Sequence, residues 1–94
     1  MYNITMNFEW DYDKSSSNKV KHGIDFETAK RLWQDENRIE ILTPHPVENR
    51  RIVISKIHNK IWTAIYTMRE DAIRIISVRH AREKEEKIYE EESG

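Results

Sequence analysis

The 94-residue chain has no cysteine, two glycines, two prolines, and no apolar run near the roughly 20 residues that a membrane-spanning helix needs. The missing thiols exclude disulfides, thiol nucleophiles and cysteine metal sites, in keeping with a reducing cytosol. Residues 1–10 lack the basic flank and apolar core of a secretory signal, so the expected location is cytoplasmic and no membrane partner is expected. His45 and His58 fall in turn-like stretches without metal-ligand spacing, so neither a metal site nor a cofactor is expected. A chain this short makes a single domain, residues 1–94.

The formal charge of −1 conceals an uneven distribution. Residues 50–82 hold eight Lys or Arg against Glu70 and Asp71, whereas residues 83–94 hold six Glu against Lys84 and Lys87. A basic central block points to one cationic face for a polyanion, although strands that merely turn Arg and Lys to water give the same count.

Residues 6–10 alternate apolar and polar and read as a short strand, with Asp11 as the N-cap of a helix over residues 12–22. Gly23, after Lys21 and His22, reads as its stop. A second helix opens at Asp25 and places Phe26, Ala29, Leu32 and Trp33 along one core-facing stripe. Residues 39–42 form a short strand, and Pro44 and Pro46 mark a loop. Residues 51–57 and 61–68 read as a hairpin turning at Asn59, with Trp62, Ala64, Tyr66 and Met68 on one face and Thr63, Thr67 and Arg69 on the other. The order β-α-α-β-β-β-β-α makes an α+β domain, a mostly antiparallel sheet with helices packed on one side.

The run from Ala72 to Val78 is rich in Ile and Val and reads as a central strand. Beyond it Ala81, Glu85, Ile88 and Tyr89 recur at helical spacing, beginning a Glu-rich helix over about residues 81–92. Arg79 and His80 therefore sit at a strand-to-helix corner, where a rigid scaffold can hold side chains toward a ligand. Glu85 is a carboxylate on the apolar stripe, which calls for a partner, Arg79 or Arg82. Arg82 is also spaced to pair with Glu86.

Phe8-Glu9-Trp10-Asp11, Lys14, Asn18, Lys21-His22-Gly23-Ile24, Phe26-Glu27 and Ala29 resemble the opening signature of BrnT-type toxins of bacterial type II toxin–antitoxin systems. Thr67-Met68-Arg69, Ile73 through Arg79, Ala81, Glu85 and Tyr89 are similar to that family's closing pattern. Two positions depart from it: Ser55 stands where the family usually has Gly, and Ser77-Val78-Arg79-His80-Ala81 stands for its Ser-Ala-Arg-Arg-Ala. The resemblance implies a RelE-like fold and a ribonuclease that cuts RNA without a metal, inhibits translation and arrests growth. It also implies a BrnA-like ribbon-helix-helix antitoxin that blocks the active face, and operator DNA bound through the complex.

RNA cleavage by internal attack needs a base at the 2′-hydroxyl, cations on the phosphorane and an acid for the leaving 5′-oxygen. Arg69 and Arg79 end adjacent strands with the parity of one face and carry forks suited to phosphate. Lys21 and His22 supply a cation and a proton-transfer group at a helix end. These four are the candidate catalytic residues. Arg74, His80 and Arg82 are candidates for substrate binding, and Glu85 and Tyr89 for structural support. The alternative is a non-catalytic module that uses the same basic face to bind an acidic protein or nucleic acid.

Overall fold

The computed structural model describes residues 6–43 and 49–93, so the loop expected at Pro44 and Pro46 lies outside the described residues. The described elements are β1 (Asn7–Glu9), α1 (Tyr12–His22), α2 (Phe26–Ala29) continued by a 3-10 turn over Lys30–Gln34, β2 (Ile39–Thr43), β3 (Arg50–Ile57), β4 (Lys60–Arg69), β5 (Ala72–His80) and α3 (Glu83–Ser93). The strands form one sheet in the order β1-β5-β4-β3-β2, antiparallel except where β1 runs parallel to β5. The fold is α+β with a mostly antiparallel sheet.

Local chemistry sets the helix boundaries. The Asp11 carboxylate accepts from the amides of Asp13 and Lys14, which starts α1. Gly23 ends it at φ +82°, a left-handed conformation natural to glycine, with its N–H donating to the Lys19 carbonyl. Asp25 caps α2 through the Thr28 amide, a bond that holds its carboxyl below the usual carboxylate range.

Val53, Trp62, Ala64, Tyr66, Ile73, Ile75 and Val78 on one face of the sheet pack against Ile24, Phe26, Ala29, Leu32 and Trp33. Register explains the choice of face, because Val53, Ala64 and Val78 are mutually paired. Between Ile65 and Tyr66 the β4–β5 ladder shifts: Ile65 opposes Ser77 while Tyr66 opposes Ile75, so Ile76 is an extra residue in β5. The bulge brings Arg74 to the same face as Arg79 although their parities differ.

Helices were expected on one side only, and the last helix departs from that. Thr63 lies on the face opposite Trp62 and Ala64, yet its hydroxyl donates to Glu85 of α3 at 3.0 Å, and α3 packs over β3 and β2. The sheet is thus covered on both faces at this end, which explains the burial of Ile54 and Thr63 away from the main core. The stripe expected on α3 is narrower than its spacing suggested, since Tyr89 is buried but Ile88 is 36% exposed. Polar tips hold this helix more than apolar area does. Among the described residues no helix is long and apolar enough to cross a membrane.

Candidate active site

The corner after β5 is built around Glu85. Its two carboxylate oxygens meet Arg79 Nη1 at 2.7 Å and Nη2 at 2.9 Å, a fork-to-fork pair. The Oε1 atom also accepts from the Arg82 backbone N–H at 2.7 Å and from Thr63 Oγ1. Arg82 stands just before α3, at its N-cap position, and Glu85 lies three residues on, so this is the return half of a capping box. Arg79 drives the Glu85 carboxyl down to about 2, against a burial effect and with help from the Arg82 amide and Thr63. The same hydrogen bond raises Arg79 above its ordinary value, so the guanidinium stays charged. One carboxylate therefore joins β4, β5 and α3, and Arg79 presents its fork to Glu85 instead of solvent. The pairing expected between Arg82 and Glu86 is not formed; among the described residues the Arg82 side chain makes no ion pair.

The other end of α3 is held by Asp35, just past the 3-10 turn. Its carboxylate accepts from Tyr89 Oη at 2.6 Å, from the Lys56 amide at 2.9 Å and from the Asn37 amide at 2.9 Å. Burial works against the charge on Asp35, but these bonds outweigh it and keep the carboxyl below its usual range. Burial, reinforced by Asp35, pushes the Tyr89 hydroxyl up to about 12. Asn18 does a matching task on β5. Its side-chain oxygen accepts from the Val78 amide, beyond the residues that β1 pairs, while its nitrogen donates to the Ile24 carbonyl at 2.8 Å. That contact fixes α1 along β5.

Two imidazoles stand at the end of the sheet where β5 finishes. His80 pairs with Trp62 across the ladder and stacks on it, ring centroids 4.1 Å apart and planes 22° apart. Trp62 is buried while His80 remains exposed. The adjoining Gly23 and Ile24 line a groove with Trp62 and the β3–β4 turn, which puts Lys21 and His22 at the same end of the sheet as His80. Neither Lys21 nor His22 makes a side-chain hydrogen bond or ion pair among the described residues. A second groove, lined by Lys56, Asn59, Lys60, His80, Glu86 and Glu90, opens on the α3 side of the turn.

Arg69 does not join this group, and the expectation that it and Arg79 act together is corrected. Both point to the same face, but Arg69 pairs with Ala72 at the β4–β5 turn whereas Arg79 pairs with Thr63 at the open end. An antiparallel hairpin puts strand ends of this kind at opposite ends, here roughly 20 Å apart at about 3.3 Å per residue. Arg69 instead shares Glu9 with Arg74, at 3.8 and 3.5 Å. The structure thus brings together Lys21, His22, Arg79, His80 and Arg82 at one end, and Arg69 and Arg74 at the other.

The family described as the ribonuclease toxin BrnT of type II toxin–antitoxin systems matches residues 10–85. The chain belongs to the BrnT toxin family. No curated protein matches it. Membership in BrnT makes the chain a ribonuclease toxin by family, with RNA as its substrate and an antitoxin as its partner. The BrnT match takes in both the α1 end with Lys21 and His22 and the corner with Arg79, His80 and Arg82, and it stops at Glu85, the residue that closes the corner. Sequence reasoning missed Asp35, Lys56, Asn59 and Lys60 at this end of the BrnT domain. Asp35 offered a local turn signal through the Asn37 amide but none for its role here, because the partners that tie it to β3 and α3 lie 21 and 54 residues away in sequence. The hairpin around Asn59 was visible, and its two neighbouring lysines, Lys56 and Lys60, could have marked it.

Proposed function

We propose that the chain is a RelE-like endoribonuclease that cuts RNA without a metal, acts in the cytoplasm, and inhibits translation and growth until a BrnA-like ribbon-helix-helix antitoxin neutralises it. Within that reading the antitoxin complex binds operator DNA through the antitoxin. What supports the site assignment is that α1, with Lys21 and His22 in its last turn, ends beside Trp62, on which His80 stacks, at the end of the sheet where Arg82 leads into α3. His22 takes the proton from the 2′-hydroxyl as that oxygen bonds to phosphorus. Lys21 offsets the charge on the phosphorane and protonates the 5′-oxygen as its bond to phosphorus breaks, leaving a cyclic phosphate and a free 5′-hydroxyl. These groups cover all three roles without calling on a metal.

Arg79 takes a positioning role in this scheme. Its fork is filled by Glu85, and its Nη1 also donates to the His80 carbonyl at 3.3 Å, so it holds the corner from which His80 and Arg82 reach RNA. Arg69 and Arg74, at the far end of the same face, contact phosphates a few nucleotides away. The alternative of a non-catalytic basic module draws on the same closed fork, since Arg79 as found has little left to offer a phosphate. Induced expression separates the two: the wild type should arrest growth with loss of intact RNA, His22→Ala should not, and co-expression of the antitoxin encoded beside it should restore growth. Equal arrest by His22→Ala would remove His22 from the site, and no arrest by either would favour the binding module.

A further inference from the structure

We propose that the groove between the end of α1 and the β3–β4 turn receives one unpaired RNA base, that of the nucleotide beside the bond to be cut. The proposal deepens the ribonuclease reading and rests on it. The walls of the groove are apolar: Ile24 enters from the loop after α1, Ile57 from β3 and Trp62 from β4, all packed on the face of the sheet that α1 and α2 cover. Its volume of about 420 Å³ lies within the size range of small-ligand sites. It is open on the side of His22. Gly23 lines it directly after that residue, and a Cβ placed on Gly23 would meet no atom within 4 Å.

Charge separates this groove from its neighbours. The two grooves that border the β3–β4 turn on the α3 side both include Glu90, whereas no carboxylate lines this one. Its rim is cationic: Lys60 lines it without a side-chain partner among the described residues, and the Lys19 ammonium donates to the Gly23 carbonyl at 3.5 Å. An apolar slot with a cationic rim matches the two halves of a nucleotide, a flat base and a phosphate. Unpaired bases splayed from their strand are what single-stranded RNA offers to such slots. RNA whose 2′-hydroxyl lies at His22 brings its adjoining base over Gly23, one residue on, and this favours the substrate as occupant over an acidic stretch of protein.

The test is anisotropy with a short, labelled RNA whose 2′-hydroxyls are methylated to prevent cleavage, in a series that moves one abasic residue along the strand. Base removal at one position, the one beside the cut mapped on the unmodified strand, should weaken binding by roughly 5- to 150-fold. Thr28→Phe and Ile57→Trp fill the groove from opposite walls. Each should bring the intact RNA down to the affinity of that abasic RNA while the abasic affinity itself stays in place, which a misfolded variant would not manage. Lys60→Ala should weaken intact and abasic RNAs alike and lower the salt slope by about 0.7. An abasic series with no sensitive position, or filled grooves that keep the full preference for intact RNA, overturns the proposal. So does a Thr28→Phe protein that loses antitoxin binding alone, the result expected of a protein-docking groove. The unmodified RNA separates the two readings: wild-type cleavage that Thr28→Phe leaves unchanged sinks the base site and leaves the ribonuclease, while base-dependent binding that Thr28→Phe removes, without cleavage by the wild type, does the reverse.

Discussion

Glu85→Gln tests how the corner is held. The substitution keeps the shape and one acceptor but removes the charge that answers Arg79, whose side chain is only 20% exposed. A carboxyl lowered from 4.5 to about 2 corresponds to roughly 3 kcal/mol at about 1.4 kcal/mol per unit. Removing one partner of a buried pair costs about 3–5 kcal/mol, and this pair is partly solvated, so a loss of roughly 2–3 kcal/mol is expected. For a domain of this size that lowers Tm by roughly 10–20 °C. The pH dependence adds a second reading. A carboxyl whose folded value is depressed stabilises the fold fully above its unfolded value, here 4.5, and its contribution disappears as pH falls toward 2. The wild type should therefore lead Glu85→Gln at pH 7 and lose that lead by about pH 2. Denaturant unfolding of both proteins across that range is the assay. A difference below about 0.5 kcal/mol at pH 7, the level of an ordinary exposed ion pair, would refute the reasoning, as would a difference that does not change with pH.

Tyr89→Phe strips the donor from Asp35 and should cost roughly 1.5–3 kcal/mol in denaturant unfolding, as expected for a hydrogen bond to a charged group. Because the folded hydroxyl titrates at about 12 instead of 10, the wild type's lead over Tyr89→Phe should be full below pH 10 and shrink between there and about 12. Asn18→Ala orphans the Val78 amide and the Ile24 carbonyl together, so it should destabilise by roughly 2–4 kcal/mol and raise hydrogen exchange at Val78. Gly23→Ala meets no atom within 4 Å at its new Cβ, so its cost should be that of the left-handed backbone alone, roughly 1–2 kcal/mol by thermal melting.

Period and caps made most of the elements legible. The alternation Trp62, Ala64, Tyr66 gave the core face of β4, and Asp11, Gly23 and Asp25 marked helix ends through their own backbone chemistry. Period could not say how far apart two residues of one face lie. Arg69 and Arg79 share a face by parity, but only the antiparallel pairing sends them to opposite ends. Nor could period assign the second face of the sheet to α3, because the contacts that hold it there, Glu85 to Thr63 and Tyr89 to Asp35, come from polar tips that leave no apolar stripe. Glu85 was legible for the opposite reason: a carboxylate on a stripe implies a partner, and Arg79 lies in reach. His80 on Trp62 follows from register alone, and register needs the structure.

The most direct test of the account is purified chain incubated with single-stranded RNA in EDTA, beside His22→Ala, with the fragments resolved on a gel and their ends analysed. The account predicts cleavage by the wild type, fragments ending in cyclic phosphate, and loss of cleavage in a folded His22→Ala. Cleavage that EDTA abolishes, or that His22→Ala carries out equally well, would contradict it.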